Sequence, residues 1–417
     1  MNEQAAIADL RVNGQRLWDC LEKMAQVGPG VAGGCNRQAL SDADARGRQL
    51  LAEWLVEAGL QVAVDDMGNM FAQAAGSAAQ PVVYAGSHND TQPTGGKYDG
   101  VLGVLAALEA VRTINEHNIK TVRPVGVVNW SNEEGCRFAP PMLASGVFVG
   151  VHARQWAHDR KDGAGCRFAD ELARIGWAGD EPCGQRRIAA YYELHIEQGP
   201  VLENENMQIG VVTHGQGVRW LQITLAGRAA HTGTTPMDMR ADAGLGMARL
   251  IDAANQIALA RQPDAVATVG QCRLHPNSRN VIAGEAVFTV DLRSPDRQLL
   301  AQMEDELRSR GDDVCRQLGL QMQVESLVEF DPVQFNQECV TQVREAAAML
   351  GYAHRDLIAG GGHDACYISR VAPAAMIMCP CVGGISHNEA EAITPQWASA
   401  GANVLLHALL QTAGLAS

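Results

Sequence analysis

The sequence predicts an α/β protein of two domains, one inserted into the other. Three observations predict it. Apolar strand-like runs alternate with helical patterns through the first half and again near the end, as in a parallel sheet covered on both faces. A middle segment switches to alternation of apolar and polar residues, as in a sheet with one face covered. Finally, 417 residues, 47% hydrophobic and 19% charged, can bury a large core but are too many for one ordinary domain.

Each element follows in order. Pro81–Gly86 and Val122–Trp130 are Val-rich apolar runs. Between them Val101–Ile114 has apolar residues at helical spacing after Gly100 and Gly103, which makes a βαβ unit. Tyr191–Ile196 and Ala374–Cys379 read as further buried strands, and Cys339–Leu350 as a helix with Val340, Val343, Ala347 and Leu350 inward. In the middle segment, Val218–Ala226 sets Leu221, Ile223 and Leu225 against Gln222 and Thr224. A helical pattern from Asp238 to Ala260, strands at Ala265–Leu274 and Ala286–Arg293, a helix over Asp296–Leu318 and a strand at Gln321–Phe330 complete the order β-α-β-β-α-β of a ferredoxin-like module. The expected larger domain is 1–212 with 331–417, and the insert 213–330. There is no tandem repeat, and Gly76–Gln80 reads as a small loop.

Composition excludes several partners. Lys+Arg of 33 against Asp+Glu of 47 gives a net charge of -14, which opposes binding to nucleic acid or an anionic membrane surface. Glu3, Asp9 and Arg11 interrupt the N-terminus, so Met1–Asn13 lacks the basic start and apolar run of an export signal, and a cytoplasmic protein is expected. The apolar stretches are broken, by Glu109 and Pro380 among others, before the ~20 residues a membrane helix needs. Eleven Cys, odd in number and without zinc-finger spacing, read as reduced thiols, most of them small core hydrophobes.

The chemistry gathers just after the apolar strands, where open α/β sheets place their sites. Ser87-His88-Asn89-Asp90 follows the first, Ser131-Asn132-Glu133-Glu134 the second and Ser386-His387-Asn388-Glu389 the last. His195 lies within the Tyr191–Ile196 run and Asp99 opens the crossover helix after Gly95-Gly96. Any one of these alone is more often a hydrogen-bonded structural residue, or a solvated acid, than a ligand. Together they point to a borderline divalent cation: two adjacent carboxylates after a buried strand are costly unless a cation neutralises one, and one carboxylate can bridge two ions. Asp90, two residues beyond His88, can receive that imidazole's other N–H, or simply cap a turn.

His88-Asn89-Asp90, Gly95–Gly100, Asn132-Glu133-Glu134-Gly135, Glu193–Gly199, Ala230–Pro236, Gly361–Ala365 and Gly384–Asn388 together resemble the hydantoinase/carbamoylase branch of the di-metal aminoacylase-like amidohydrolases. That branch includes N-carbamoyl-L-amino-acid hydrolases, β-ureidopropionases and allantoate amidohydrolases. The resemblance implies an aminopeptidase-like catalytic domain with an inserted dimerisation lid, hence a homodimer. It implies two divalent ions (Zn, Mn, Co or Ni), one held by His88 and His195, the other by Glu134 and His387, with Asp99 bridging and Glu133 as general base. It makes His231 an oxyanion donor, often from the partner subunit, and Asn280 and Arg293 substrate contacts; Gln198 and the Gly360–Gly362 backbone, with Gly361 and Gly362, are further candidate contacts or else a structural Gly-rich turn. Arg293 suits a carboxylate clamp, although a strand-terminal Arg on an acidic protein is by itself more often a solvated counter-ion. His363 and Asp364 are either substrate-side groups or supports of the ligands.

The expected activity is therefore metal-dependent hydrolysis of the linear C–N bond of an N-carbamoyl-L-amino acid, with allantoate or ureidoglycine hydrolysis next, and an aminoacylase or dipeptidase reaction after that. A non-catalytic protein that closes on a small ligand would be expected to have lost ligands or the base. All five ligand candidates and Glu133 are present.

Overall fold

The structure, a computed structural model, describes residues 7–74 and 80–416. The loop read at Gly76–Gln80 lies outside them except for Gln80, as do the first six residues of the N-terminal stretch. Along the chain come strands β1 (Leu60–Val64), β2 (Met70–Ala74), β3 (Val82–His88), β4 (Val125–Trp130), β5 (Ile188–Ile196) and β6 (Ile209–Gly215). Next are β7 (Gly217–Ala226), β8 (Ala230–His231), β9 (Val266–His275), β10 (Val281–Ile282), β11 (Glu285–Ser294) and β12 (Gln321–Phe330). The last are β13 (Val333–Gln334), β14 (His354–Ala359) and β15 (Ala374–Cys379). Two compact units divide the chain: Met1–Thr213 with Phe335–Ser417, and His214–Gln334.

The first unit is built on a sheet in the order β1-β2-β4-β3-β5-β15-β6, with β14 beside β6. The parallel strands expected from the sequence form the centre of a mixed sheet. At its centre β4, β3, β5 and β15 pair in parallel, while β1 with β2, β2 with β4 and β6 with β15 pair antiparallel. The flanking runs mix Gln and Gly with apolar residues (LQVAV, MFAQA, IGVVTHG), so they carry no continuous apolar signal. The central strands are buried along almost their whole length, as sheet covered on both faces requires. Between β3 and β4 the helix Val101–Glu116 runs past Glu109, which stays buried because Arg16 grips both its oxygens at 2.8 and 2.7 Å. An acid that breaks an apolar run in the sequence is here neutralised inside the helix packing.

The second unit carries a four-stranded antiparallel sheet in the order β12-β7-β11-β9, the ferredoxin-like arrangement, with two helices packed on it. Leu221, Ile223 and Leu225 of β7 and Ala286, Phe288, Val290 and Leu292 of β11 form one apolar face. Against it the helix Arg297–Leu318 places Leu300, Met303, Leu307 and Cys315. The helix expected from Asp238 begins instead at Ala243. Asp242 caps it by accepting from the Leu245 N–H, and Met237–Met239 is a separate 3-10 turn after Pro236.

Candidate metal centre

Four parallel strands with their carboxyl ends on one edge place the polar residues together. His88 ends β3 opposite Trp130 of β4, whose continuation is Ser131-Asn132-Glu133-Glu134. His195 lies in β5 beside Met378 of β15, which leads to the His387 loop. Asp99 enters between them at the start of the crossover helix. Gly100 has φ +69°, and a Cβ there would lie 2.3 Å from the His88 ring, so glycine is what lets Asp99 reach that imidazole.

Two donor sets result. His88, Asp99 and His195 bring one ligand atom each within 4.8 Å of one another, and so do Asp99, Glu134 and His387. His88 Nε2 and His195 Nε2 lie 3.7 and 3.0 Å from Asp99 Oδ1, while His387 Nε2 lies 3.3 Å from Asp99 Oδ2 and 3.4 Å from Glu134 Oε2. Both buried imidazoles donate Nδ1–H to main-chain carbonyls, His88 to Asp90 and His195 to Ile196, at 2.9 Å each. A carbonyl only accepts, so the proton is fixed on Nδ1 and Nε2 is left as the ligand atom. The buried His195 Nε2 has no aligned hydrogen-bond partner despite its short distance to Asp99, which suits a cation between them.

The electrostatics agree. Burial and then Asp99 push Glu134 up to about 8, and burial with the surrounding carboxylates, Asp364 first, pushes Glu133 well up. Asp99 is held far down by His195 and His387 against the effect of burial. These two imidazoles rise to about 9, His195 through Asp99 in spite of burial and His387 through its hydrogen bond to Asp99, whereas burial takes His88 down to about 4. Without a cation, protons take the place that the crowded carboxylates need filled. A third acidic group, Asp65, Asp66 and Cys183, offers no comparable site: Met67, Asn69, Cys183 and Arg154 already occupy its carboxylates.

One expectation is corrected. The Asp90 carboxylate does not receive the His88 imidazole, since its Oδ1 stands 3.9 Å from Nδ1 and the Asp90 main-chain oxygen takes the hydrogen bond. The two Asp90 oxygens instead accept the N–H groups of Glu133 and Glu134, each at 3.2 Å, and so fix the turn carrying that pair. Gln198 Nε2 lies 2.8 Å from Asp99 Oδ2, and a Cβ on Gly361 or Gly362 would meet Gln198 or Met142 respectively. His363 and Asp364 are buried, the His363 ring centroid 4.4 Å from that of His195. Residue identity alone gives Ser386 and Glu391 no role. Nothing in the polar run after His387 shows that an acid there turns inward.

In the second unit His231 is paired with Val281 through β8 and β10, and the Asn280 carbonyl accepts from Thr232 N–H at 3.1 Å. His231 Nδ1 accepts from the Gly233 N–H at 3.0 Å, so the ring proton lies on Nε2 and is free to be donated. Arg293 bonds to Asp291 on the same strand, at 2.8 Å.

Residues 84–411 match the family model Peptidase family M20/M25/M40. The chain belongs to this family. Within it, the chain is 58% identical over 404 residues to an N-carbamoyl-L-amino-acid amidohydrolase of Rhizobium meliloti, covering 97% of each chain. It is 52% identical to a solved hydantoinase/carbamoylase family amidase from Burkholderia multivorans, with TM-score 0.92 and coverage of 97% of this chain and 98% of that one. An allantoate amidohydrolase of Bacillus subtilis is more distant, 30% identical over 95% of this chain and 97% of its own. The M20 membership, and the hydantoinase/carbamoylase branch within it, agree with the resemblance drawn from the motifs. M20 enzymes use a dinuclear divalent metal centre, which the two donor sets sharing Asp99 fit. Among the described residues no helix is long and apolar enough to cross a membrane.

Proposed function

We propose that this protein hydrolyses the linear C–N bond of N-carbamoyl-L-amino acids, giving the amino acid, CO2 and ammonia. The observation that carries it is the pair of His/carboxylate sets joined at Asp99 beside buried Glu133, in a chain so close to an N-carbamoyl-L-amino-acid amidohydrolase. Two bound divalent ions, Zn, Mn, Co or Ni according to supply, would polarise the ureido carbonyl and lower the pKa of the attacking water.

The chain's own residues do the rest. His88 and His195 would hold one ion and Glu134 and His387 the other, with Asp99 the ligand common to both sets. Glu133, whose raised affinity for protons suits a base, takes the proton of the attacking water and returns it to the departing nitrogen. His231 offers Nε2–H to the charge developing on the ureido oxygen. Arg293 takes the substrate carboxylate, exchanging part of its bond to Asp291, while Asn280, Gln198 and the Gly361–Gly362 backbone orient the substrate.

The inserted unit is proposed as lid and dimerisation domain. Edge strand β9 is exposed along most of its length, with Val266 and Leu274 outward, which supports pairing with a second copy. The test is release of ammonia and amino acid by the metal-loaded enzyme from N-carbamoyl-L-amino acids, N-carbamoyl-β-alanine and allantoate. Turnover of the first class above the others supports the proposal. Preference for allantoate overturns the substrate assignment.

A further inference from the structure

The structure assigns a positioning role to Glu391: it fixes the bridging carboxylate Asp99 from behind, so that both metal sites depend on a residue that touches neither ion. The inference rests on Asp99 being the shared ligand.

Glu391 is 4% exposed, an acid buried under the rim with, among the described residues, no arginine or lysine bonded to it. Its Oε1 accepts the main-chain N–H groups of Tyr98 and Asp99, at 2.9 and 3.0 Å. Its Oε2 lies 3.0 Å from Ser386 Oγ, and the same hydroxyl lies 3.0 Å from Asp99 Oδ2. One carboxylate thus holds the backbone of Asp99 directly and its side chain through Ser386. A hydroxyl has a single proton, so Ser386 links the two carboxylates rather than bonding both fully.

The local sequence is shaped to admit this. A Cβ on Gly96 would lie 2.0 Å from the Glu391 carboxyl, so the Gly95-Gly96 turn leaves the space in which that carboxyl sits. Ser386 and Glu391 flank His387, the candidate ligand of the second ion. The grip on Asp99 and the His387 loop are therefore one piece of chain, and loosening it disturbs a ligand of both ions together. Groups that orient a ligand from outside typically change metal affinity by about 10–100-fold when removed.

The test is titration of the metal-free full-length protein with Co2+, followed by its visible absorption against a competing chelator. Wild type, Glu391→Gln, Gly96→Ala and Ser386→Ala are compared, with Asp99→Asn as the reference. Glu391→Gln and Gly96→Ala are expected to weaken both Co2+ sites by about 10–100-fold and to change the absorption band, Ser386→Ala less so. The unfolding midpoint of the metal-free forms should stay near that of wild type. Gly96→Ala displaces the carboxyl without altering it, and so keeps the test open if Glu391→Gln does not fold. Wild-type affinity and spectrum in both variants overturn the role of Glu391, as does weakening confined to one site. If instead wild type fails to bind two ions, or Asp99→Asn binds them as tightly, the assignment of Asp99 itself falls.

Discussion

The strand-end rim of the first unit and the β8–β10 ribbon of the second hold their polar residues in opposite ways. On the rim His88, Asp99, Glu133 and His195 are all buried, and neighbouring main-chain groups orient their rings or turns. On the ribbon His231 and Asn280 are exposed and held by a two-residue strand pair and a short turn. The rim is the proposed cation site, preorganised and with crowded carboxylates that are costly without a cation. The ribbon carries no such cost, and its residues are proposed to act only when a substrate meets them. Substitutions on the rim are therefore expected to change metal content, and those on the ribbon to change rate or binding with metal content intact.

The largest effect is expected from Asp99→Asn. Asparagine is neutral and offers a single carbonyl oxygen, so neither donor set keeps its charge. Metal content by mass spectrometry should fall for both ions, and the rate by at least ~10³-fold, since metal ions supply several kcal/mol of transition-state stabilisation. Full metal content would break the shared-ligand assignment. Glu133→Gln separates chemistry from metal binding on the same rim, with a loss in kcat of about 10²–10⁴-fold while both ions stay bound. A collapse of metal content there would make Glu133 a ligand.

These two residues also show why the sequence was readable where it was. His88 and Glu133-Glu134 follow runs buried on both sides, where polar residues demand an explanation, and Asp99 follows a Gly-Gly turn at a helix start. The central strands and the ferredoxin-like order were legible because their apolar periods are long and clean. Strands β1, β2 and β6 were not, because Gln and Gly interrupt them, and Glu109 read as a break in a run that the fold continues through it. The roles of the Asp90 carboxylate and of Glu391 are hidden in the sequence for one reason: each accepts two main-chain N–H groups, which leave no trace in residue identity.

On the ribbon, His231→Ala should lower kcat by about 10²–10³-fold at unchanged metal content, as loss of a donor to developing charge does. Mixing it with Glu133→Gln subunits sharpens the assignment. Partial recovery of activity after subunit exchange supports action across a dimer, and no recovery after verified exchange argues for action within one chain. Arg293→Ala should mainly raise KM for carboxylate substrates. Asp291 already pairs the guanidinium, so the effect belongs at the lower end of the usual range, about 2 kcal/mol or ~30-fold.

The smallest effect is on stability, and it distinguishes a cage filled by protons from one filled by metal. In the metal-free protein His195 rises to about 9 from an ordinary 6.5, so its pairing with Asp99 stabilises fully below pH 6.5 and is lost as pH climbs through 9. His387, at about 9, follows the same sign. Glu134, raised to about 8, and Asp90, raised to about 7, are proton-bound in the fold but not in the unfolded chain, so they too make the fold weaker as pH rises. Asp99, held down, opposes this trend only below about pH 4. The unfolding midpoint of the metal-free protein should therefore fall between pH 6 and 9, by a few °C on the scale of ~2–4 °C per kcal/mol for domains of this order of size. Bound cations replace those protons, and deprotonated ligands bind them more tightly, so the metal-loaded midpoint should hold or rise over the same range. The gap between the two curves is the measurement. A gap that narrows with pH would mean that the rim carboxylates and imidazoles are not what the metal occupies, whereas His231→Ala and Arg293→Ala should leave the gap as it is in wild type.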